Sequence, residues 1–267
     1  MTVFRYSEII IEDLIKEIKG DIGRKIFFHE SVDSTNKIAS ELAEKGTAEG
    51  AVVIADSQQK GKGRRGRFWI SPPGVNIYLS IITRPSIDPG DVTLLTITAA
   101  VACTIALRRV TDLKIAIKWP NDLMVCDKKL GGILTEMKTC PGRIIFAIVG
   151  IGINVNVDVD AFPDDVKKTA TSIRNETGTV YSRVEMIGEI LNEFDRWYSA
   201  LKGGREKTIL YEWQRFTSTI GREIKVVTGT ETLTGFAESL DDKGMLILRS
   251  ASGERKRISA GDVTILR

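Results

Sequence analysis

The sequence predicts an α+β fold, in which a core that mixes helices and strands is followed by a small all-β module. Over the first 218 residues, apolar positions at helical spacing alternate with short apolar or alternating runs that favour strands. After about residue 219 only short β-type runs follow, separated by turns. A chain of 267 residues has room for one large domain and one small module. We therefore place the two domains at residues 1–218 and 219–267.

The elements of the first domain are predicted in order from periodicity and turn residues. Within residues 4–20, Ile10, Leu14 and Ile18 recur at roughly helical spacing. A second helix can be capped by Ser34 or Thr35 and end at Gly46. Residues 91–110 lack a polar face and predict a fully buried helix. The remaining predicted segments are strands at residues 51–56, 75–83, 114–119, 130–137 and 143–154, and helices at residues 184–201 and 207–216.

The second domain is predicted to be a small β-barrel. Its β-type runs are residues 223–227, 232–238, 245–249 and 263–266, with turns at 241–244 and 252–253. A module of roughly 50 residues is too small to fold comfortably alone. We therefore expect it to pack against the first domain.

Composition excludes several classes of protein. Lys plus Arg number 38 and Asp plus Glu 35, and a net charge of +3 argues against nucleic acid as the main partner. We find no run of about 18 apolar residues and no secretory signal, so we expect no membrane association. The odd set of Cys103, Cys126 and Cys140, without a C-x-x-C pair, indicates reduced thiols and a cytoplasmic protein, with Cys103 in the core. The single histidine, His29, reads as a packing residue, so any chemistry must rely on Lys, Arg, Asp, Asn and backbone amides.

Residues 61–69 (GKGRRGRFW) are the most informative segment. Glycine lets a backbone approach a ligand closely, and arginine offers a fork of donors for phosphate or carboxylate. The spacing G-x-G-x-x-G also occurs in dinucleotide-binding folds, but there a strand directly precedes the glycines and a helix directly follows. Here Pro72 and Pro73 follow, and they disfavour a helix. Neither a Walker loop nor the partner motifs of a kinase are present. The segment predicts an anion-binding loop that is mobile in the empty protein.

Four segments together resemble a known family. They are residues 34–36 (STN), Gln58 with the loop 61–69, residues 118–122 (KWPND) with 129–134 (KLGGIL), and residues 150–156 (GIGINVN). Their order and spacing from His29 to Asn156 resemble the biotin protein ligases, the biotin–acetyl-CoA-carboxylase ligase family. Residues 170–173 (ATSI) and the C-terminal β module add to the likeness. One G-x-G motif would be weak, but the joint occurrence of these strings in this order is specific.

The resemblance implies a fold and a function. The fold is a mixed β-sheet with flanking helices, shared with class II aminoacyl-tRNA synthetases, plus a C-terminal SH3-like β-barrel. The function is a ligase that uses ATP and Mg²⁺ to activate biotin as biotinyl-5′-AMP. Biotin then passes to a lysine of a biotin carboxyl carrier protein or domain. The resemblance also implies a homodimer. Only about 28 residues precede the first matching segment. We therefore expect a monofunctional ligase without the winged helix-turn-helix of some members, and no specific DNA binding.

The biotin-binding residues carried over from the resemblance lie in the first two segments and near the lysine–glycine motif. A ureido ring needs both donors and acceptors, which hydroxyl and amide side chains supply. Ser34 and Thr35 could instead be plain helix caps, and Lys62 stands where the family usually has arginine. The expected biotin contacts are Ser34, Thr35, Asn36, Gln58, Lys62, Gly63, Arg64, Lys129 and Gly132.

The catalytic residues implied by the resemblance are Lys129, Arg64, Arg67 and Asp122. Cations here would bring a carboxylate and a triphosphate together against their repulsion. Asp122 could hold Lys129, position Mg²⁺ or assist the incoming amine, and the sequence identifies no metal ligands. The expected contacts to ATP or the adenylate are Arg64, Arg67, Trp69, Asn121, Lys129 and Asn154. Trp69 could equally be a core aromatic and Asn154 a turn residue.

Two rival functions remain open. A lipoate-type protein ligase could share the core fold, although the arginine-rich loop favours biotin. A non-catalytic biotin-sensing regulator is the second, and the presence of Lys129 argues against it.

Overall fold

The computed structural model describes residues 8–229 and 231–266. The predicted N-terminal helix is present as α1, Ile11–Glu17, which buries Leu14 and has Ile10 and Ile18 as its caps. Positions 4–7 of the predicted helix lie outside the described residues. The domain boundary between residues 218 and 219 stays a prediction. The other helices are α2 Thr35–Glu44, α3 Thr93–Thr111, α4 Asp164–Lys167, α5 Ile173–Thr177, α6 Arg183–Lys202 and α7 Glu206–Phe216.

The first domain is built on a mixed sheet. Within the described residues it has seven strands in the order β1-β2-β3-β7-β6-β5-β4. Only β1 and β2 run parallel, and every other neighbouring pair is antiparallel. The strands are β1 Ile26–Val32, β2 Val52–Gln58, β3 Ile77–Thr83, β4 Ile115–Lys118, β5 Asp122–Val125, β6 Lys128–Cys140 and β7 Arg143–Ile153.

The core lies between one face of this sheet and helices α3 and α6. Strand β3 is buried along its whole length, which explains its nearly continuous apolar sequence. Cys103 of α3 is fully buried, as predicted, and burial raises the pKa of its thiol to about 12. By length and composition the segment Pro89–Thr111 could cross a membrane, with a mean hydropathy of 1.8. However, 67% of its most apolar window is buried. Burial in the core of the first domain therefore explains why this helix is so apolar.

The C-terminal module is an antiparallel sheet of five strands in the described residues, in the order β11-β10-β9-β8-β12. Strands β11 and β12 are the two edges and do not pair with each other in the part of the chain described, so the predicted barrel is not closed by hydrogen bonds. The strands are β8 Glu223–Val227, β9 Thr232–Leu240, β10 Leu246–Arg249, β11 Arg255–Ile258 and β12 Asp262–Ile265.

The module packs on the first domain, as expected from its size. Ile224 and Leu246 belong to the same buried cluster as the residues around α3. The backbone N–H of Trp119 donates to Thr219 Oγ1 at 2.9 Å, and its indole N–H donates to the Gly244 carbonyl at 3.1 Å. The two domains therefore share one core, and Trp119 links them at the end of β4.

The helices and strands that sequence patterns predicted are present, with small shifts at their ends. The strands β1, β5 and β11 and the short helices α4 and α5 were not predicted. Strand β1 is at the sheet edge and only Val32 of it is buried, so its apolar pattern is weak. Strand β11 (RKRI) is a charged edge strand with one buried residue, Ile258. As expected, no helix follows Gly66, so the dinucleotide-binding interpretation of the loop is wrong.

Candidate active site

A cleft of about 450 Å³ opens between the first-domain sheet, the loop 61–69 and the start of strand β12. Glycines at the cleft face of β6 and β7 let neighbouring groups approach the sheet closely. All of the predicted biotin-binding, adenylate-binding and catalytic residues line this one cleft: Ser34, Thr35, Asn36, Gln58, Lys62, Gly63, Arg64, Arg67, Trp69, Asn121, Asp122, Lys129, Gly132 and Asn154.

One end of the cleft has a buried polar network at the N-terminus of α2. Thr35 donates to Gln58 Oε1 through its backbone N–H at 2.9 Å and through its hydroxyl at 3.2 Å. Ser80, a polar residue on the buried strand β3, donates to Thr35 Oγ1 at 2.8 Å or to Asn36 Oδ1 at 2.6 Å. Ser34 is at the N-cap, but its hydroxyl makes no capping hydrogen bond. The simple capping interpretation of Ser34 is therefore not what the structure has.

Asn36 is held in a fixed orientation by its neighbours. Its Nδ2 donates to Glu136 Oε2 at 2.6 Å and to the Leu134 carbonyl at 3.3 Å. A Cβ added at Gly150 would collide with Asn36 Oδ1, so only glycine leaves room for the amide at that position. Because its donors and its acceptor are all engaged, the Asn36 side chain keeps one orientation towards the cleft.

The loop 61–69 folds back on itself as a short hairpin. The Trp69 N–H donates to the Gly61 carbonyl at 2.8 Å, and the Gly63 N–H donates to the Arg67 carbonyl at 2.7 Å. A short 3₁₀ turn spans Arg64–Gly66, with Arg65 at a φ of 56°. The loop thus presents the Arg64 and Arg67 side chains to the cleft, while its mobility without ligand stays a prediction.

Arg64 is the most buried of the loop arginines. Its Nη1 donates to Asn121 Oδ1 at 2.9 Å and to the Gly261 carbonyl at 3.3 Å. Burial lowers the pKa of Arg64, and the charges of Asp262 and Asp122 partly oppose that shift. Asn121 in turn donates to the Ile133 carbonyl at 2.8 Å. Asn121 therefore orients Arg64, and its contact with the nucleotide stays a prediction.

The centre of the cleft contains a lysine pair around one carboxylate. Lys129 Nζ is 2.6 Å from Asp122 Oδ1, and Lys118 Nζ is 3.7 Å from Asp122 Oδ2. Lys129 also lies over the Trp69 ring, 5.5 Å from its centroid. Its backbone is fixed by hydrogen bonds to Thr169 and Thr171 at 2.7 and 2.9 Å. Of the roles left open for Asp122, holding Lys129 is the one with a geometric basis.

The far end of the cleft is apolar. The Trp69 indole packs against Gly152, where an added Cβ would lie 2.8 Å from the ring. A small buried cluster there consists of Val157, Val159, Phe162 and Ala170, with Ile70, Val75 and Val166 packed against it. Asn154 Nδ2 donates to the Thr171 carbonyl at 3.0 Å, so this asparagine braces the wall and is not a simple turn residue. A flat aromatic group, such as a nucleotide base, could pack here.

Sequence reasoning missed several residues of the cleft. Lys118 lies in the KWPND segment but was not singled out as a ligand contact, although its motif was a usable signal. Ser80 does not line the cleft itself but supports Thr35 and Asn36 from behind, and it was detectable as a polar residue in an apolar strand. Gly261 and Asp262 come from the C-terminal module, and no local pattern indicates that they reach the cleft.

Residues 8–229 and 231–266 contain no preformed metal-binding site made of three or more His, Cys, Asp or Glu side chains. The carboxylates that line the cleft are Asp122, Asp165 and Asp262, and two of them are paired with cations. Mg²⁺ commonly binds through one or two carboxylates, waters and substrate phosphates. The residues present fit that mode.

Family comparisons match both domains. Residues 28–156 match the Biotin/lipoate A/B protein ligase family, and residues 219–266 match the Biotin protein ligase C terminal domain. The first match contains every predicted site residue, and the second contains Gly261 and Asp262.

Individual proteins and structures are similar over most of the chain. The bifunctional ligase/repressor BirA of Bacillus spizizenii is 37% identical over 90% of this chain and 74% of its own length. The biotin–[acetyl-CoA-carboxylase] ligase of Paracoccus denitrificans is 34% identical over 86% of this chain and 96% of its own. The structure of the Aquifex aeolicus biotin protein ligase in complex with biotin and ATP has a TM-score of 0.78 at 28% identity, covering 92% of this chain and all of that one.

Proposed function

The chain belongs to the biotin/lipoate A/B protein ligase family, and we propose that it attaches biotin to a lysine of a carrier protein at the expense of ATP. The protein is an ATP-dependent biotin ligase, in keeping with the Paracoccus relative named a biotin–[acetyl-CoA-carboxylase] ligase and with the Aquifex biotin protein ligase in complex with biotin and ATP. The acceptor is a biotin carboxyl carrier protein or domain of a biotin-dependent carboxylase. This extends to the present chain what the name of the Paracoccus relative says of its own substrate.

The polar network at the N-terminus of α2 is the observation that carries the choice of biotin over lipoate. Thr35, Gln58 and Asn36 line this end of the cleft, and the buried Ser80 behind them fixes the orientation of Thr35 and Asn36. A ureido ring can satisfy such groups, whereas the dithiolane of lipoate has no N–H and no carbonyl. The Ser34 hydroxyl makes no capping hydrogen bond, and Gln58 Nε2 uses only one of its two N–H donors, on Ser71. An apolar ring would leave these groups unpaired, which costs roughly 1–3 kcal/mol for each group. The same geometry therefore selects against lipoate.

The first step joins the biotin carboxylate to the α-phosphorus of ATP. An aliphatic carboxyl is already ionised near neutral pH, so no base is required. The carboxylate oxygen attacks phosphorus, the bond to the bridging oxygen breaks, and pyrophosphate leaves. Lys129, between Asp122 and the Trp69 ring, would contact both the carboxylate and the α-phosphate. Arg64 and Arg67 would neutralise the phosphate chain. Catalysis is then mostly positioning and charge neutralisation.

The second step transfers biotin to the carrier. The neutral amine of the acceptor lysine attacks the biotinyl carbonyl, AMP leaves with the bonding electron pair, and the nitrogen loses one proton to solvent as the amide forms. Asp122 is the carboxylate nearest to Lys129 and could also guide the incoming amine. Until then, the loop 61–69 and the apolar wall around Phe162 would shield the adenylate from water.

Mg²⁺ would supply further charge neutralisation on the phosphates. We propose that it is held mainly by the nucleotide, with Asp122 or Asp165 as the available carboxylates. A homodimer, a cytoplasmic location and the lack of specific DNA binding are further proposals. Analytical ultracentrifugation, fractionation and a gel shift with operator-length DNA test them in turn.

The proposed function is tested by mixing the protein with ATP, Mg²⁺ and radiolabelled biotin or lipoate, and separating acyl-adenylates by chromatography. We expect biotinyl-5′-AMP and at least tenfold less lipoyl-AMP. A carrier domain added afterwards should become labelled on a single lysine. An adenylate formed only from lipoate would favour the rival ligase, and biotin binding without any adenylate would favour a non-catalytic regulator.

A further inference from the structure

The three arginine side chains of the loop 61–69 reach across the cleft to one short part of the C-terminal module. Arg64 donates to the Gly261 carbonyl at 3.3 Å, and Arg65 donates to the Val227 carbonyl at 2.8 Å. Arg67 Nη2 pairs with Asp262 Oδ1, and Arg65 Nη1 is 3.4 Å from Asp262 Oδ2. The sequence-distant Asp262 is thus the shared counter-ion of two loop arginines.

The position of Asp262 creates an electrostatic conflict with the nucleotide. Its carboxylate lines the same cleft as Lys129, Arg64 and Arg67, where a phosphate chain would need the positive charge. A fixed anion there repels phosphate and also occupies the guanidinium of Arg67. The Arg67 and Asp262 side chains are 61% and 36% exposed, so their pairing is weak enough to exchange for another anion.

We propose that Asp262 is a positioning residue that acts as a displaceable counter-anion for the arginine loop. Without nucleotide it holds Arg67 and Arg65 at the mouth of the cleft. When the triphosphate binds, Arg67 leaves Asp262 for the phosphates, and the exchange lowers the net affinity for nucleotide. This inference rests on the proposed function, because it assumes that the anion bound in the cleft is a phosphate chain.

The contacts of Asp262 favour this role over simple support of the module. Among the described residues, the Asp262 carboxylate forms ion pairs with Arg65 and Arg67 of the loop and with no residue of the module. The module has its own ion pairs away from the cleft, such as Arg255 with Glu238 at 2.6 Å. The strand β12 is held by its ladder with β8, which does not use the Asp262 side chain.

The test uses Asp262→Asn, which keeps the shape and one hydrogen-bond acceptor but removes the charge. Binding of inorganic triphosphate to the full chain is measured by titration calorimetry at low salt, a readout that needs no catalysis. We expect Asp262→Asn to bind triphosphate about twofold to fivefold more tightly, because the exposed Arg67–Asp262 ion pair no longer competes with the phosphates for Arg67. In steady-state assays the KM for ATP should fall by a similar factor, with little effect on kcat or on the KM for biotin.

Two comparisons make the result specific. Glu238→Gln removes a carboxylate from the same module with the same change in charge, and it should leave triphosphate affinity unchanged. In an Arg67→Ala background, Asp262→Asn should lose most of its effect, because the exchanging partner is absent. Unchanged or weaker triphosphate binding in Asp262→Asn, with a melting temperature like that of Glu238→Gln, would overturn the proposal. A wild-type protein that binds triphosphate but forms no biotinyl adenylate would instead contradict the proposed function.

Discussion

Lys129 Nζ is 2.6 Å from Asp122 Oδ1, and the same carboxylate has Lys118 Nζ 3.7 Å from its other oxygen. Both lysines and the aspartate line the cleft, although they come from three different strands or strand ends. One carboxylate between two ammonium groups fixes their direction without cancelling their combined charge. An excess of positive charge therefore remains at the point where two anionic substrates must meet.

The lysine at this point should dominate the first step. We expect Lys129→Ala to lower the rate of biotinyl-5′-AMP formation at least tenfold, about 1.4 kcal/mol of lost transition-state stabilisation. Single-turnover release of pyrophosphate measures the change. Lys128→Ala is the matched control, since Lys128 is exposed and does not line the cleft. Equal rates in both variants would remove the role assigned to Lys129.

If Asp122 acts by holding Lys129, the two residues should be coupled. Asp122→Asn should slow adenylate formation, but the double variant with Lys129→Ala should be little slower than Lys129→Ala alone. The free energy of coupling from the four rates is the measurement. Fully additive losses would show that Asp122 acts on another group, such as the metal or the incoming amine.

Arg64 should retain the intermediate. Its guanidinium spans the cleft from Asn121 to Gly261, so Arg64→Gly would open a path beside the adenylate. We predict faster release of preformed biotinyl-5′-AMP, measured by trapping labelled intermediate in solution. Lys60→Gly is the control, because Lys60 is an exposed residue just before the loop and does not line the cleft. Slower release in Arg64→Gly would contradict the prediction.

The closed end of the cleft should not tolerate a methyl group at residue 150. In Gly150→Ala the added Cβ would collide with Asn36 Oδ1 and push the amide out of its network with Ser80 and Glu136. We expect biotin affinity to fall at least tenfold by titration calorimetry. Gly90→Ala, where nothing lies within 4 Å of the new Cβ, should bind normally. Thermal melting of both variants separates lost binding from lost folding.

Glu49 should contribute to stability in a pH-dependent way. Burial raises the pKa of its carboxyl, but hydrogen bonds from Lys202, Tyr198 and the Arg84 N–H outweigh this and lower it below 4.5. A lowered pKa in the folded state gives stability that is present above about pH 4.5 and is lost as the pH falls through the folded value. Glu49→Gln should therefore be roughly 1–2 kcal/mol less stable at pH 7.

Urea unfolding at a series of pH values measures this effect. The gap between wild type and Glu49→Gln should narrow as the pH falls below about 4.5. Glu44→Gln, which removes an exposed pair with Lys138, is the control and should cost little at any pH. A gap for Glu49→Gln that is constant from pH 7 to pH 3 would refute the assignment.

The sequence predicted which residues come together at the cleft, because most of them lie in short segments. Residues such as Ser34, Thr35 and Asn36 are adjacent, and Lys129 lies in the same short motif as Gly131 and Gly132. Asp262 was missed because it lies 197 positions from Arg65, and only the packing of the two domains brings them together. Contacts of that kind depend on tertiary structure and leave no periodic signal in the chain.

The fold shows the same difference between elements that the local sequence predicts and elements that depend on tertiary contacts. The buried strand β3 and the buried helix α3 were predictable, since burial on all sides gives continuous apolar sequence. Strand β5 was missed because it is only four residues long and follows Pro120 and Asn121, which indicate a turn. Asn154 was placed correctly in the cleft, but its hydrogen bond to Thr171 depends on a segment whose path was not predictable.

The hydrogen bonds of Trp119 decide whether the two domains can be separated. Its backbone and indole N–H groups are both satisfied by the C-terminal module, and the next residues along the chain are Pro120, Asn121 and Asp122. A gene fragment that ended near residue 218 would leave those two donors without their partners beside the reaction centre. We therefore expect the first domain to lose the geometry of its cleft when it is produced without the C-terminal module.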